Sequence, residues 1–436
     1  MPTDNTAIPV AKPMESIKFD NLLINFTTEF QRVWSTKGSG AELASFWRPS
    51  PAPDLLPGYF PLGDLAASAD SNISGQRVMA VVCEGDPQSN EPHQQKALSR
   101  PDDYEQIWKS SDSGSSGAIW RPIPPDGYVA LGLVCSNGHD KPSLNAVRCV
   151  RTDLVIASNV GDLIWNDKGS GAKVDFSAWS ITPPNAEEGE IYFAPGTFIG
   201  ANSYDKPFTH TAAYSLRMQI PLQINPAPQL PVLTGFSAPQ PLETPAATQT
   251  ARLPWFAVED NFMLPIERFS KSPYYHLART DQYVLIGEGH NTDEKSKLLR
   301  WSAPRTLIDK LLQVFTRITS IEVKSAWPTR VSEAGHPVTY SARLTKSFTH
   351  TEKSFSGWVK SQAIDIAAII PKNRMLAVYQ LHSRYDLLRE DGTQAAVSFT
   401  YADSDGLDFA EYPREDNEVC APAPVTGLPT ATDNAP

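Results

Sequence analysis

The chain has 436 residues, more than a single hydrophobic core usually serves, so two modules are expected. A formal net charge of −11, without clusters of Lys and Arg, excludes the phosphate-neutralising surface of a nucleic-acid binder. No run of about 18 apolar residues occurs, which excludes a resident transmembrane helix but not strands that insert after assembly.

Residues 1–14 carry Pro and Asp where a secretory signal would have a basic start and an apolar run, so no classical signal peptide is expected. Across 15–33 an apolar alternation, Ile17, Phe19, Leu22, Ile24 and Phe26, slips by one residue and predicts a strand. One pattern is then written three times. It reads Trp34, Gly38, Ser39, Gly40, Trp47, Arg48, Pro49, Gly58, Tyr59, Gly63 in the first copy and Trp108, Gly114, Gly117, Trp120, Arg121, Pro122, Gly127, Tyr128, Gly132 in the second. The third has Trp165, Gly169, Ser170, Gly171, Trp179, Pro183, Gly189, Tyr192 and Gly200, with Ser180 where Arg would stand. A β-type unit that cannot cover its own apolar face must stack on its copies, so a three-lobed front module is predicted over 15–219. Its short strands are expected at 78–82, 129–134, 147–150, 154–156 and 191–193, where β-branched and aromatic residues alternate between turn residues.

Between 220 and 254 the chain has Pro221, Pro226, Pro228, Pro231, Pro239, Pro241, Pro245 and Pro254. Proline removes ladder donors and fixes φ, which predicts an extended, polyproline-like linker arm and no sheet. A second β module is expected over 255–413, with strands at 274–277, 283–286, 364–370, 375–381 and 396–401. Residues 307–315 fit a helix or a buried strand, the helix better. Segments 318–327 and 338–347 are the clearest alternating runs. Their apolar set is Ile321, Val323, Trp327, Val338, Tyr340, Ala342 and Leu344, opposite Glu322, Lys324, Thr339, Ser341 and Arg343. About 9 to 11 residues with one apolar and one polar face is what a membrane barrel strand requires, so the pair is a candidate membrane-inserting hairpin. An ordinary half-buried hairpin of a soluble sheet alternates in the same way. Residues 414–436 are expected to form a disordered tail.

No arrangement in the sequence points to catalysis: GxSxG, HExxH, P-loop, GxGxxG and EF-hand patterns are absent, and the eight His are scattered. A binding protein, not an enzyme, is expected, with no cofactor and no metal. Cys83, Cys135, Cys149 and Cys420 lack CxxC spacing and are read as buried thiols. The Gly-Ser loops offer Ser39, Asp112, Ser115, Asp167 and Ser170 either to a receptor or glycan or to the capping of their own tight turns. The paired Trp34 and Trp47, Trp108 and Trp120, and Trp165 and Trp179 are read as repeat core, because each buried aromatic removes roughly 150 to 250 Å² from water. Arg48 and Arg121 are expected to lie across aromatic faces.

The runs Phe46-Trp47-Arg48-Pro49, Gly58-Tyr59-Phe60-Pro61-Leu62-Gly63-Asp64, Ile119-Trp120-Arg121-Pro122, Pro125-Asp126-Gly127-Tyr128, Lys141-Pro142-Ser143 and Val147-Arg148-Cys149-Val150-Arg151 closely resemble the domain of vacuolar protein sorting-associated protein 62. That domain also occurs in bacterial insecticidal proteins, and its repeats look like a lectin-type β-prism. Residues 270–413, through Pro273-Tyr274-Tyr275, Tyr283, Tyr379-Gln380-Leu381 and Asp391-Gly392-Thr393, resemble an aerolysin-like β-pore-forming module. The resemblance implies a mostly β chain, a β-prism-like front and an elongated back module. It also implies a secreted or otherwise released protein that binds a target-cell receptor, glycan or lipid, forms a homo-oligomer on the membrane and inserts a β-hairpin. A second toxin component is a partner it admits. The other reading is a non-lytic lectin-like or trafficking adaptor.

Overall fold

The computed structural model describes residues 14–86, 95–111, 116–207, 212–239, 245–258, 260, 262–304, 338–349 and 363–413. They fold into a mostly β structure of antiparallel sheets, as the alternating patterns predict.

Each repeat contributes one three-stranded sheet to a triangular upper tier. The sheets are Phe30–Ser35 with Ser45–Pro49 and Leu65–Ala67, Asp103–Lys109 with Gly117–Ile123 and Val134–Asn137, and Asn159–Asn166 with Ser177–Thr182 and Ile199–Ala201. The first Trp of every repeat points inward. Ring centroids of Trp34 and Trp108 lie 5.5 Å apart, those of Trp108 and Trp165 5.8 Å, and those of Trp34 and Trp165 6.3 Å. Phe46, Phe176 and Phe198 complete this buried core. The second Trp of each repeat is buried on the other face of its sheet and satisfies its ring N–H locally. Trp47 donates to Ser45 Oγ at 2.8 Å, Trp120 to Ser136 Oγ at 2.9 Å and Trp179 to Ser177 Oγ at 2.7 Å.

Backbone bonds between lobes, Asp64 N–H to the Leu133 carbonyl and Leu133 N–H to the Phe198 carbonyl, fix which residues are equivalent. Counting back five places sets Tyr59, Tyr128 and Phe193 in register, one residue off the sequence pattern, which aligned Tyr192. The slip between Phe19 and Leu22 is a reverse turn at Asp20, where φ is 52°. One predicted strand is therefore three: Ile17–Phe19, Leu22–Thr27 and Phe30–Ser35.

A lower tier of three sheets lies beneath, and its core runs without a break into the second module. Phe26 meets Trp255 edge-on at 5.7 Å and Phe193 lies 5.1 Å from Phe256. Tyr274, Tyr275, Leu277 and Phe348 belong to the same buried cluster. The proline-rich arm departs from expectation at both ends. Leu222–Ile224 and Gln249–Pro254 pair with each other and join the back sheet, because only Pro254, at the strand's last position, falls within them. Between them the chain forms no strand among the described residues, and Leu233 packs on Met375, Ala377 and Tyr379.

The back sheet runs in the order Leu222–Ile224, Gln249–Pro254, Tyr274–Asn291, Arg374–Arg389, Phe399–Tyr412. Its long strand of 18 residues spans roughly 60 Å at about 3.3 Å per residue. The sequence reads as two strands, 274–277 and 283–286, broken over 278–282. The break is not real, since Arg279 and Asp281 are both buried and neutralise each other across 2.8 Å.

Candidate functional site

The first and third Gly-Ser turns meet at one end of the Trp triangle. A Cβ on Gly40 would fall 2.6 Å from the Gly169 carbonyl oxygen, and one on Gly169 would fall 2.8 Å from that of Gly40. Both backbones have positive φ, so contact and conformation alike require glycine. Asp167 is 3% exposed. Its carboxylate accepts the Trp108 ring N–H and the Phe176 backbone N–H, each at 2.8 Å, and the Ser170 hydroxyl at 3.3 Å. Ser170 is also buried, whereas Ser39 is half-buried at its turn. Asp112 and Ser115 lie outside the described residues. Asp167 and Ser170 thus act in the turn and the Trp triangle.

Arg48 does not lie across a tryptophan. It grips the fully buried Asp64 through two bonds of 2.8 and 2.9 Å and donates to the Cys135 carbonyl, while Cys135 N–H closes back on Asp64 at 2.6 Å. A planar guanidinium matches a carboxylate better than a ring when a desolvated carboxylate is in reach. Burial pushes the Asp64 carboxyl up, against the pull of Arg48 and the Cys135 N–H. Arg121 pairs with Glu105 at 2.9 Å on the surface. Cys135 and Cys149 are buried free thiols; Cys83 is a half-buried one.

Two features converge on the segment between residues 304 and 363. The first is a ribbon in which Lys297–Ala303 pairs with Ile364–Ile370, from Lys297 opposite Ile370 to Ala303 opposite Ile364. The ribbon alternates. Leu299, Trp301, Ala303, Ile364, Ile366, Ala368 and Ile370 pack on the back sheet, and Lys297, Arg300, Ser302 and Asp365 face outward with Leu298 and Ile369. It lies in a track made by two missing side chains. A Cβ on Gly287 would fall 1.9 Å from Trp301 Cδ1, and one on Gly289 would fall 2.0 Å from Leu299 Cδ1.

The second feature is a clasp, residues 338–349. Its strand Tyr340–Ala342 extends a lower-tier sheet of the front module, with Ile191 opposite Ala342, Tyr192 opposite Ser341 and Phe193 opposite Tyr340. Val338, Ala342 and Leu344 are buried there and Tyr340 is half-buried. The predicted ten-residue strand is only three residues long, because the chain turns into a short helix, Lys346–Thr349. That helix is tied to the back sheet. Arg279 donates to the Ser347 carbonyl at 2.6 Å and the Phe348 carbonyl at 3.4 Å, and the Tyr385 hydroxyl donates to the Phe348 carbonyl at 2.8 Å. Ile321, Val323 and Trp327 lie outside the described residues, as does 307–315.

Sequence reasoning missed the ribbon's packing face and the clasp's anchors. The signal was present: Leu299, Trp301 and Ala303 alternate with Arg300 and Ser302, though the doublet Leu298-Leu299 obscures it. For Asp281, burial is the largest influence and pushes its carboxyl up, but bonds from Arg279, Ser383 and Thr248 outweigh it and hold it below the ordinary range. Asp260 is held low in the same way by Arg389, the Phe262 N–H and Tyr275 against its burial. A folded-state pKa below the unfolded one stabilises above the unfolded value, about 3.9, and that contribution is lost as pH falls through the folded value. Amide exchange in Tyr274–Asn291 and Arg374–Arg389, corrected for intrinsic rate, should therefore accelerate below about pH 4. Unchanged protection down to pH 2.5 would contradict the assignment.

No helix among the described residues is long and apolar enough to cross a membrane, and no group of three or more metal-ligating side chains occurs among them. No curated protein matches the chain. Among solved structures, the crystal structure of GNIP1Aa from Chromobacterium piscinae is similar at 23% identity over 45% of this chain, with a TM-score of 0.37. This chain spans 37% of the length of that one. The crystal structure of Cry35Ab1 is similar at 10% identity over 91% of each chain, with a TM-score of 0.37. The family model for vacuolar protein sorting-associated protein 62 matches residues 10–229, the whole triplicated front module and half of the chain. The chain belongs to the vacuolar protein sorting-associated protein 62 family.

Proposed function

We propose that this is a two-module, insecticidal-type β-pore-forming protein, able to act alone or as one component of a binary toxin. The front module binds a glycan, lipid or receptor on the target cell, and the back module oligomerises and inserts a β-hairpin drawn from residues 297–370. One observation carries this reading: an amphipathic antiparallel ribbon lies in a glycine track, and the chain between its two strands includes a clasp bonded to both modules. Released, the ribbon would turn Leu299, Trp301, Ala303, Ile364, Ile366, Ala368 and Ile370 from the sheet toward lipid and leave Lys297, Arg300 and Asp365 toward a water-filled lumen. Nothing in this scheme requires catalysis or a cofactor.

A non-lytic, lectin-like or trafficking adaptor is the second reading, favoured by the burial of Val338, Ala342 and Leu344 in a core shared by both modules. Dye-loaded vesicles prepared from insect midgut brush-border membranes separate the two. Leakage accompanied by ring-shaped particles in electron micrographs is the expected result. Binding without leakage at any concentration would support the adaptor.

A further inference from the structure

The Gly-Ser turns use Asp167 and Ser170 internally, so the ligand of the front module has to be sought elsewhere on it. At one buried rung of the lower-tier ladders the lobes differ in charge. The Arg148 N–H bonds the Pro61 carbonyl across the seam between the second and first lobes, as the Ala80 N–H bonds the Pro195 carbonyl between the first and third. Arg148 and Ala80 are therefore equivalent. The ladder of the first lobe sets Ala80 opposite Phe26. That of the third, with Tyr214 opposite Ala157, continues to Ala213 opposite Ser158, and that of the second, with Cys149 opposite Ser99, continues to Arg148 opposite Arg100. Two lobes thus bury an alanine, Ala80 or Ala213, where the second buries a guanidinium beside another.

Like charges directly opposite on a sheet repel, and a buried guanidinium is costly unless it is paired. Arg148 is 9% exposed. Its guanidinium carbon lies over the half-buried Phe60 ring, 3.5 Å from the centroid. One nitrogen, Nη1, donates to the Val147 carbonyl at 2.9 Å and the Asn145 carbonyl at 3.4 Å. Nε and Nη2 bond nothing among the described residues, and both are reached by solvent. No carboxylate among those residues pairs with Arg148 or with the exposed Arg100. Burial pushes the Arg148 guanidinium down and the Arg100 charge pushes it further, whereas Asp102, two residues from Arg100, acts on the Cys149 thiol.

What is left is a fork of free donors, backed by a ring and flanked by a second guanidinium. A phosphate monoester fits it. Its charge of about −1.5 to −2 at pH 7 matches two guanidinia, and its terminal oxygens accept parallel donors from a guanidinium. A phosphodiester carries one charge and is substituted on both sides, so it has no bare end to present to so buried a group. We infer that Arg148 and Arg100 form an oxyanion site on the front module that takes a terminal phosphate, with Arg148 gripping it through Nε and Nη2 and Arg100 closing on it from the rim. The site stands on its own geometry; its use as the front module's contact with a membrane lipid rests on the proposed function.

Calorimetric titration of the full chain with glucose 6-phosphate, at ionic strength held constant with sodium chloride, tests it. The wild type should bind, unphosphorylated glucose should not, and R148A should bind about tenfold more weakly or less, because a charge-assisted fork is lost. R148A installs the alanine that both sister lobes carry. R100S, which installs the third lobe's serine at an exposed position, should also bind about tenfold more weakly, with melting unchanged. Vesicles of phosphatidylcholine doped with phosphatidic acid, against the same amount of phosphatidylserine, separate the two sources of phosphate. Retention on phosphatidic acid that both variants lose assigns the phosphate to a lipid, and binding of glucose 6-phosphate without retention assigns it to a soluble ester. No binding of glucose 6-phosphate together with no preference for phosphatidic acid, or equal binding by wild type and both variants, would overturn the site. Leakage from brush-border vesicles reports separately: leakage without phosphate binding removes this site and keeps the pore, and phosphate binding without leakage does the reverse.

Discussion

Replacing Arg279 by Ala is expected to destabilise the protein by about 3 to 5 kcal/mol, the usual consequence of removing one partner from a buried ion pair. Arg279 and Asp281 are each 6% exposed. Without the guanidinium, the Asp281 carboxylate would keep, among the described residues, the Thr248 hydroxyl at 2.9 Å and the Ser383 hydroxyl at 2.5 Å. The Ser347 carbonyl would lose the Arg279 donor, and the Phe348 carbonyl would keep Tyr385 among the described residues. The helical turn of the clasp should then loosen before the sheet does. Limited proteolysis of R279A should cut near residues 345–350 under conditions in which the wild type resists.

The variant also makes a pH prediction of opposite sign to the wild type. Burial, which pushes the Asp281 carboxyl up, remains, and the strongest opposing influence is gone. The folded-state pKa of Asp281 in R279A should therefore lie above its unfolded value. A raised folded pKa costs stability above it and relieves that cost below it. Urea midpoints of R279A and wild type should converge as the solution is acidified from pH 7 toward pH 4.5. A constant gap would mean that Asp281 does not carry the loss.

The front module was largely legible in the sequence because its repeats are written in residues whose roles are geometric. Trp34, Trp108 and Trp165 recur because three sheets close on one axis, and Gly40 and Gly169 recur because two turns touch. The register of the third lobe was less legible. It is set by backbone bonds to Leu133 and Phe198, and backbone bonds leave no residue-type signature. The long back strands were read as fragments for a related reason. Arg279 and Asp281 interrupt the apolar alternation, and only their mutual burial, a tertiary fact, makes the interruption compatible with a strand.

The candidate site was legible in outline and not in position. Alternation pointed to Val338, Tyr340, Ala342 and Leu344, and three of the four are buried side chains of the clasp. Of the ribbon that roots the same segment, the strand at 364–370 was read and Lys297–Ala303 was not, nor was the track at Gly287 and Gly289 that Trp301 and Leu299 fill, because a glycine announces the absence of a side chain without saying what fills the space. The Gly-Ser loops drew attention as ligand sites, whereas hydrogen bonds from Trp108 and Phe176 place Asp167 inside the turn. Gly and Asp serve turns and ligands with the same chemistry, so sequence could not separate the two.

The central claim is that residues 338–349 must leave their place between the modules before the protein can open a membrane. Positions 191 and 342 face each other across the strand pair that holds the clasp to the front module. The neighbouring bonds, Arg343 N–H to the Glu190 carbonyl and Ala194 N–H to the Thr339 carbonyl, make 191 and 342 a non-hydrogen-bonded pair, whose Cα atoms sit about 4.5 Å apart, within disulfide range. The double variant I191C and A342C, oxidised, should bind brush-border vesicles as the wild type does and release no dye, and dithiothreitol should restore release. Full leakage from the oxidised protein, with the crosslink verified by mass spectrometry, would contradict the account.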